Sequence, residues 1–238
     1  MKKRVIAIAL VLVILFCNAA IAEETVFGNS VEGDILFNNL EWGTSREEVF
    51  SFLKDNFNSN DVELEEECNE YEYGKVKQVV CNYSNMHYGN LGKVGDMDID
   101  EITVWYIYEE GKYDYSMYAA QYRGESYSAF ESMKEMLEYK YGGPYSYYEE
   151  NSSSYGSTFD IDRFIWKNVA ETQELWITRN NNALDFGILF GKSDITYYKN
   201  TEIYYSNAEM SSYVNVQREI YEAQSKEDEM AGKNYDGL

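Results

Sequence analysis

Two cysteines carry the clearest chemistry in this sequence. Cys68 and Cys81 lie in segments that look extended, and the turn pattern Gly74-Lys75 lies midway between them. A hairpin centred on that turn places the two cysteines opposite each other, at the short separation that a disulfide requires. We therefore predict a Cys68–Cys81 disulfide. The alternative is a pair of free buried thiols, and the lack of a Cys-x-x-Cys motif disfavours a redox-active pair.

Residue types that commonly support catalysis are uninformative here. The only histidine, His87, lies in a segment that looks like a turn, so a cluster of histidine ligands is excluded and any Ser–His–Asp triad would need this residue. The sequence has neither a nucleophile elbow nor a glycine-rich phosphate loop. The 42 acidic residues make coincidental carboxylate pairs of the glycosidase type unavoidable. We predict no catalytic residue and no cofactor.

Three alternating aspartates, Asp96, Asp98 and Asp100, resemble part of a calcium loop. The EF-hand pattern would require glycine at the position of Glu101 and glutamate at that of Ile107. We therefore predict a strand edge that faces solvent rather than a metal site. A surface calcium site is the alternative.

The aromatic residues are more informative, with 24 Tyr, 11 Phe and 4 Trp. Asp160 and Asp162 alternate with apolar residues, and charged side chains normally lie on the strand face that points away from the core. Phe164 and Trp166 continue the same alternation, so we expect them on that outer face.

A hairpin centred near Glu171 then places Trp166 across from Trp176. We predict that Trp166, Trp176 and Phe164 form an exposed aromatic binding surface bordered by acidic groups, because such patches mark interaction sites. Two alternatives are that the C-terminal helix or a loop covers this face, and that the strand pairing is shifted by one residue.

The charge balance limits the possible partners. The 20 basic and 42 acidic residues give a net charge of −22. This charge argues against nucleic acid and anionic membrane surfaces, since phosphate binding needs clustered cations, and it favours a cationic partner. A hydrophobic content of 45% argues against disorder.

Residues 1–22 have the pattern of a secretory signal peptide, with a cationic start, an apolar run over Val5–Phe16 and small residues before Ala22. We expect cleavage after Ala22 and a secreted, periplasmic or otherwise extracytoplasmic protein. The apolar run is shorter than the ~20 residues of a membrane span, so we expect no transmembrane segment in the mature chain. Lipidation of Cys17 is the alternative, although Phe16 stands where a small residue is usual.

Three amphipathic segments predict helices. The first opens with Thr44 or Ser45, each followed three residues later by a glutamate, as in a capping box, and it should end near 58–60. The second ends at Tyr141, because Gly142 favours a helix C-terminus. The third covers about 207–231. Its expected apolar stripe consists of Tyr213, Val216, Ile220 and Ala223.

Alternating and β-branched segments predict strands, and Asn180-Asn181-Asn182 is predicted as a turn. The predicted strands are 35–42, 62–68, 76–83, 97–108, 113–122, 145–149, 158–167, 172–179, 183–190 and 195–198.

These elements predict an α+β fold. We expect a leader over 23–34, a body over 35–205, and a C-terminal helix and tail over 206–238. The body is expected to consist of two successive helix-plus-antiparallel-sheet halves, about 35–122 and 123–205, with their helices on one sheet face.

Two short stretches resemble a known structural group. Residues 42–49 resemble the Gly-x-Thr-x-x-Glu-Val helix opening of small exported bacterial α+β modules, and residues 141–144 resemble the Gly-x-Pro that closes such helices. The β-lactamase inhibitory protein, built from tandem modules, and the small lipoprotein of the outer-membrane barrel-assembly machine belong to this group. The resemblance implies architecture and no particular activity or target.

We therefore expect an exported, non-enzymatic protein that binds an unknown protein or cell-surface ligand through an acidic aromatic sheet face. A polysaccharide-acting enzyme that uses paired carboxylates and a structural component of the cell envelope are the alternatives.

Overall fold

The computed structural model describes residues 21–57, 62–87, 89–124, 128–154, 157–185 and 195–231. Most of the expected signal peptide, including Cys17, lies outside the described residues. So do the segment 58–60, where the first helix is expected to end, most of the predicted strand 183–190, and the chain after residue 231.

Eleven strands and three helices make up the described part of the chain. The strands are β1 (Ile21–Val26), β2 (Leu64–Tyr73), β3 (Val76–Asn85), β4 (Gly92–Val94), β5 (Met97–Ile99), β6 (Glu101–Glu109), β7 (Tyr113–Gly124), β8 (Ser146–Ser154), β9 (Ser157–Lys167), β10 (Gln173–Asp185) and β11 (Ile195–Asn207). The helices are α1 (Arg46–Phe57), α2 (Ala129–Tyr141) and α3 (Ala208–Ala231).

Nine of these strands form one antiparallel sheet in the order β1-β8-β9-β10-β11-β7-β6-β3-β2, and β4 and β5 form a separate two-stranded ribbon. The pairing of β7 with β11 joins the earlier strands to the later ones. The fold is α+β, as the element pattern predicts, with one large sheet that has helices on both faces.

The larger core lies between the sheet and the helices α1 and α2, on what we call the main core face. Val49 and Leu53 of α1 belong to this cluster. Phe130, Met133 and Leu137 contribute from α2. Apolar residues of both helices recur every three or four positions, so that each helix buries one stripe against the sheet.

Helix α3 packs on the opposite face, which we call the α3 face. Met210 and Val214 are buried there over Val76 of β3. The expected stripe is therefore wrong at Val216 and Ile220, which are 50% and 47% exposed, and at Ala223, which is also exposed. Two weak apolar stripes run along this helix at helical spacing, and only packing against the sheet selects one of them.

Local end signals are confirmed at the first two helices. Ser45 N–H donates to Glu48 Oε2 at 3.2 Å, and Glu48 N–H donates to Ser45 Oγ at 3.4 Å, which is a capping box. At the end of α2, Gly142 N–H donates to the Glu138 carbonyl at 2.9 Å with a φ of 80°. Glycine adopts this left-handed conformation without a steric penalty.

One strand prediction and one turn prediction are wrong because asparagine backbones behave differently from expectation. The segment 35–42 is no strand: Asn38 and Asn39 have φ values of 52° and 61°, which produce a tight turn. By contrast, the predicted turn at 180–182 lies inside the continuous strand β10. There Asn180 Nδ2 donates to Asn200 Oδ1 of β11 at 2.7 Å, so the amide group bonds across the sheet instead of closing a turn.

Candidate functional site

The hairpin of β9 and β10 decides where the two tryptophans lie. Trp166 pairs with Leu175, and Trp176 pairs with Ile165, which is one residue away from the expected pairing. A shift of one residue moves a side chain to the other face of the sheet. The prediction that Trp166 and Trp176 share one exposed face is therefore wrong.

Trp166 and Phe164 belong to the main core face. Trp166 is 0% exposed, and its Nε1 donates to the Gly142 carbonyl at 2.8 Å, so it anchors the end of α2. The Phe164 ring lies 6.1 Å from that of Phe130 in α2, and Lys134 Nζ lies 4.8 Å from its centroid. Neither side chain forms the predicted exposed aromatic surface.

The expected face is wrong because the charge of Asp162 is compensated on the main core face. Asp162 accepts hydrogen bonds from Arg179 Nε at 2.8 Å and from the Tyr147 hydroxyl at 2.7 Å. A paired and hydrogen-bonded carboxylate can lie on a partly buried face at little cost. Asp162 therefore shares the main core face with Phe164.

Trp176 lies on the α3 face, where it joins an aromatic row across the sheet. Its ring centroid is 4.9 Å from that of Tyr204, which in turn is 5.6 Å from that of Trp105. Trp105 and Tyr204 pack against the small cluster beneath α3. Trp176 extends the row towards β9 and is half-buried.

Arg163 is the central cation of this surface. Its guanidinium carbon lies 4.8 Å from the Trp176 centroid and 5.8 Å from that of Tyr148, and its Nε donates to Thr178 Oγ1 at 3.0 Å. In the part of the chain that the structure describes, Arg163 forms no ion pair within 4.0 Å. Burial lowers the pKa of Arg163, and the field of Glu202 acts in the opposite direction.

We call Tyr148, Arg163, Trp176, Thr178 and Glu202 the Arg163 patch. Strand pairing places all five on the α3 face, since Arg163 is opposite both Tyr148 and Thr178, Thr178 is opposite Glu202, and Trp176 lies two residues before Thr178. The side chains are half-buried apart from Thr178, which is buried. A row of aromatic and arginine side chains is typical of the energetically important centre of a binding surface.

Acidic and amide groups border the Arg163 patch. Tyr148 hydroxyl donates to Glu150 Oε2 at 2.6 Å, and Asn200 Nδ2 donates to Glu202 Oε1 at 3.3 Å. These bonds orient carboxylates beside the aromatic rings. The surface is therefore both acidic and aromatic, and of its five residues only Trp176 is among those expected.

Sequence reasoning misses Arg163 and Tyr204. The available indication for Arg163 is that it directly follows Asp160 and Asp162 and has the opposite charge. Tyr204 gives no indication in a sequence with 24 tyrosines, because only the β10–β11 pairing brings it next to Trp176.

The predicted Cys68–Cys81 disulfide is present, with the two residues directly opposite in the β2–β3 hairpin. Beside it, the buried Tyr83 hydroxyl donates to Glu66 Oε1 at 2.9 Å and lies 3.0 Å from the Tyr106 hydroxyl. Burial raises the pKa of both tyrosines well above the usual value. These groups tie the disulfide hairpin into the core.

Among the described residues, the only close set of three potential metal ligands is Glu66, Cys68 and Cys81, and the two sulfur atoms of that set are bonded to each other. Of the three alternating aspartates, Asp98 pairs with a lysine: its Oδ1 lies 3.4 Å from Lys93 Nζ in the β4–β5 ribbon. His87 is exposed in a turn, with Nε2 3.5 Å from a Glu63 carboxylate oxygen.

Two shallow surface cavities lie away from the Arg163 patch. The larger, about 570 Å³, is at the start of α1 and is lined by residues that include Trp42 and Glu48. The smaller, about 390 Å³, lies at the β6–β7 turn beside Tyr108 and Tyr113.

A buried carboxylate holds α3 on the sheet. Glu109 accepts a hydrogen bond from the Tyr213 hydroxyl at 2.7 Å and lies 2.5 Å from Lys75 Nζ. Lys112 Nζ lies 3.5 Å above the Tyr213 ring. Lys75, followed by Tyr213, lowers the pKa of Glu109, and Glu109 in turn raises the pKa of Tyr213.

We expect α3 to detach from the sheet in acid before the sheet itself unfolds. The stabilisation from a carboxylate with a lowered pKa is complete above its usual value of 4.5 and is lost as the pH falls through the lower folded value. Hydrogen exchange of α3 amides across this pH range measures the loss. In the control Glu109→Gln, α3 should exchange faster at neutral pH and show a weaker acid step. An unchanged acid step in this variant would contradict the role of Glu109.

The chain matches no protein-family model, and comparison with curated proteins and with solved structures found no match. The class of protein is therefore defined by the fold alone: an α+β protein with a nine-stranded antiparallel sheet and helices on both faces. In the described residues, no helix combines the length and apolarity that crossing a membrane requires.

Proposed function

We propose that this chain is an exported binding protein that engages a protein or a cell-surface ligand through the Arg163 patch. The observation that carries the proposal is the stacking of Arg163 between Tyr148 and Trp176 on a sheet face. Helix α3 contacts mainly the strands β2, β3, β7, β10 and β11, whereas Tyr148 and Arg163 come from β8 and β9.

Arginine and aromatic side chains are enriched among the residues that dominate binding energy. Stacking and the Thr178 hydrogen bond hold Arg163 in one orientation, so little side-chain entropy is lost when a ligand contacts it. The indole Nε1 of Trp176 is a buried donor without a partner among the described residues. Buried donors in folded proteins normally have a hydrogen-bond partner. The carboxylates that surround Arg163 favour a ligand whose positive charges meet the border of the patch and not its centre.

Export of the mature chain after cleavage at Ala22 forms part of the same proposal. The disulfide supports it, because such bonds persist in oxidising compartments outside the cytoplasm. The tandem organisation is also proposed, with α1 and β2, β3, β6 and β7 as one half, and α2 and β8–β11 as the other. The resemblance of the two helix motifs to exported tandem modules supports this division.

The test is capture from native medium and surface extract with the immobilised protein, followed by identification of partners by mass spectrometry. Arg163→Ala and Trp176→Ala are each expected to reduce the captured partner at least about tenfold, as typical for central binding residues. Tyr139→Ala is the matched control, because Tyr139 is 95% exposed on α2, away from the patch. Thermal unfolding verifies that each variant is folded.

Equal capture by folded Arg163→Ala, Trp176→Ala and the wild type would contradict the assignment of this surface. Reduced capture by Tyr139→Ala alone would place the contact on the side of α2.

A further inference from the structure

Strand β2 is the last strand of the nine-stranded sheet, and no strand of the described chain pairs with its outer edge. It is 10 residues long, whereas edge strands are usually short, bulged or covered unless charged side chains protect them. A long free edge presents unpaired backbone N–H and C=O groups, and these can accept an added strand. The edge is distinct from the Arg163 patch, which lies on the other half of the sheet.

The register identifies the outward-facing backbone groups. Cys68 and Cys81 are directly opposite, with Cα atoms 4.1 Å apart. This short distance is typical of a pair whose own backbone groups are not bonded to each other. The N–H and C=O groups of Cys68 therefore point away from β3, and by alternation so do those of Glu66 and Glu70.

The side chains of β2 make this edge strongly acidic. Half of its ten residues are glutamates: Glu65, Glu66, Glu67, Glu70 and Glu72. On the main core face, Glu66 lies 2.8 Å from Arg46, and Lys77 lies within 2.9 Å of both Glu70 and Glu72. On the α3 face, Glu65 and Glu67 are exposed and form no ion pair within the described chain. Their carboxylates are two residues apart, as alternate side chains of one strand face are.

Helix α3 reaches this edge of the sheet. The ring of Tyr221 lies 6.2 Å from that of Tyr73 at the end of β2, so the helix reaches the sheet boundary there. The ten residues from 222 to 231 continue the helix for roughly 15 Å. Glu222 and Glu227 are exposed on this extension. An added strand would lie beside β2, on the side of the sheet boundary that this helix reaches.

We propose that the outer edge of β2 binds an extended, lysine- or arginine-rich segment of another protein by strand addition. Backbone hydrogen bonds to Glu66, Cys68 and Glu70 supply the pairing. Basic side chains at alternate positions of the partner meet Glu65 and Glu67, and an apolar side chain of the same face contacts Tyr71, which is 47% exposed. This spacing distinguishes the partner from a segment that is merely basic.

A second copy of the chain does not fit the same edge. Pairing of two β2 strands would bring two sets of five glutamates together, and like charges across neighbouring strands are destabilising. The net charge of −22 on each copy adds to the repulsion. The charge pattern that prevents self-association therefore selects a basic partner.

The test uses a short acetylated peptide in which lysine and threonine alternate, labelled for fluorescence anisotropy. Two control peptides keep the length: one has glutamate in place of lysine, and the other has the same composition with its lysines in one block. The alternating peptide should bind the full chain most tightly, and added salt should weaken this binding. Slower hydrogen exchange at the amides of Glu66, Cys68 and Glu70 should accompany binding.

Two variants separate backbone pairing from charge. Glu70→Pro removes an outward-facing N–H without disturbing the backbone hydrogen bonds between β2 and β3. It should lower the affinity for the alternating peptide about tenfold. Its control, Glu70→Gln, keeps the N–H and should bind within about threefold of the wild type. The double variant Glu65→Gln/Glu67→Gln should weaken binding by at least about threefold. Unchanged thermal unfolding shows that the variants are folded.

Equal binding of the block and alternating peptides would overturn strand addition, as would wild-type affinity in Glu70→Pro. So would the absence of binding by every peptide. Protection of the edge amides before any peptide is added would assign the edge to another segment of this chain. A dimer that loses this protection on dilution would assign it to a second copy. Either result overturns the proposal without bearing on the Arg163 patch.

Discussion

Replacement of Trp166 by alanine should lower the free energy of unfolding by about 3–5 kcal/mol, the range for deletion of a large buried aromatic side chain. Trp166 is fully buried, and it also bonds the Gly142 carbonyl at the end of α2. The variant therefore loses packing and leaves the Gly142 carbonyl without this donor. Urea unfolding followed by circular dichroism measures the change, and α2 should become the least protected helix in hydrogen exchange.

Two further substitutions control this experiment. Trp166→Phe retains much of the apolar packing but removes Nε1, so it isolates the hydrogen bond and should cost about 1–3 kcal/mol. Val169→Ala changes an exposed residue of the same hairpin and should stay within about 0.5 kcal/mol of the wild type. A Trp166→Ala variant as stable as Val169→Ala would contradict the buried position of this tryptophan, and with it the register of β9 and β10.

The second large effect concerns the disulfide. Cys68 and Cys81 are 13 residues apart, and closure of a loop of about 15 residues contributes about 3 kcal/mol by restricting the unfolded chain. The double variant Cys68→Ala/Cys81→Ala should therefore unfold at a lower urea concentration, with a free energy of unfolding reduced by that amount. Alanine is the better replacement because Cys81 is buried, and a serine there would add the cost of burying a hydroxyl group.

Reduction of the wild type provides the internal check. In the presence of a reductant, its urea midpoint should approach that of the alanine variant, whereas the variant itself should not respond. A wild type whose stability is independent of reductant would show that the bond does not contribute. Intact mass of the oxidised protein, lower by two hydrogens than the reduced form, confirms that the bond is present in the sample.

The parts of the fold that sequence reasoning predicts correctly depend on neighbouring residues. The Ser45–Glu48 capping box, the glycine end of α2 at Gly142 and the Cys68–Cys81 hairpin each involve positions that lie close along the chain. In each case the geometry of one helix end or one turn determines the contact. No distant element had to be placed first.

The candidate site depends on pairings that cross the chain. The interpretation of Trp166 and Trp176 fails because a hairpin centred half a residue away reverses which side chains share a face. The two aspartates strengthened the wrong choice, since Arg179 compensates Asp162 on the core side. Nothing local to Asp162 reveals a partner that lies on another strand.

The sequence by itself determined the acidic character, the α+β class and the disulfide, because composition and short-range spacing are enough for these. The tertiary structure alone decided that Arg163, and not Trp166, accompanies Trp176 on the α3 face. It also decided that α3 buries Val214 while Val216 stays exposed. Both outcomes follow from the same physical fact: a strand has two faces and this helix has two apolar stripes, and only packing against distant elements selects between them.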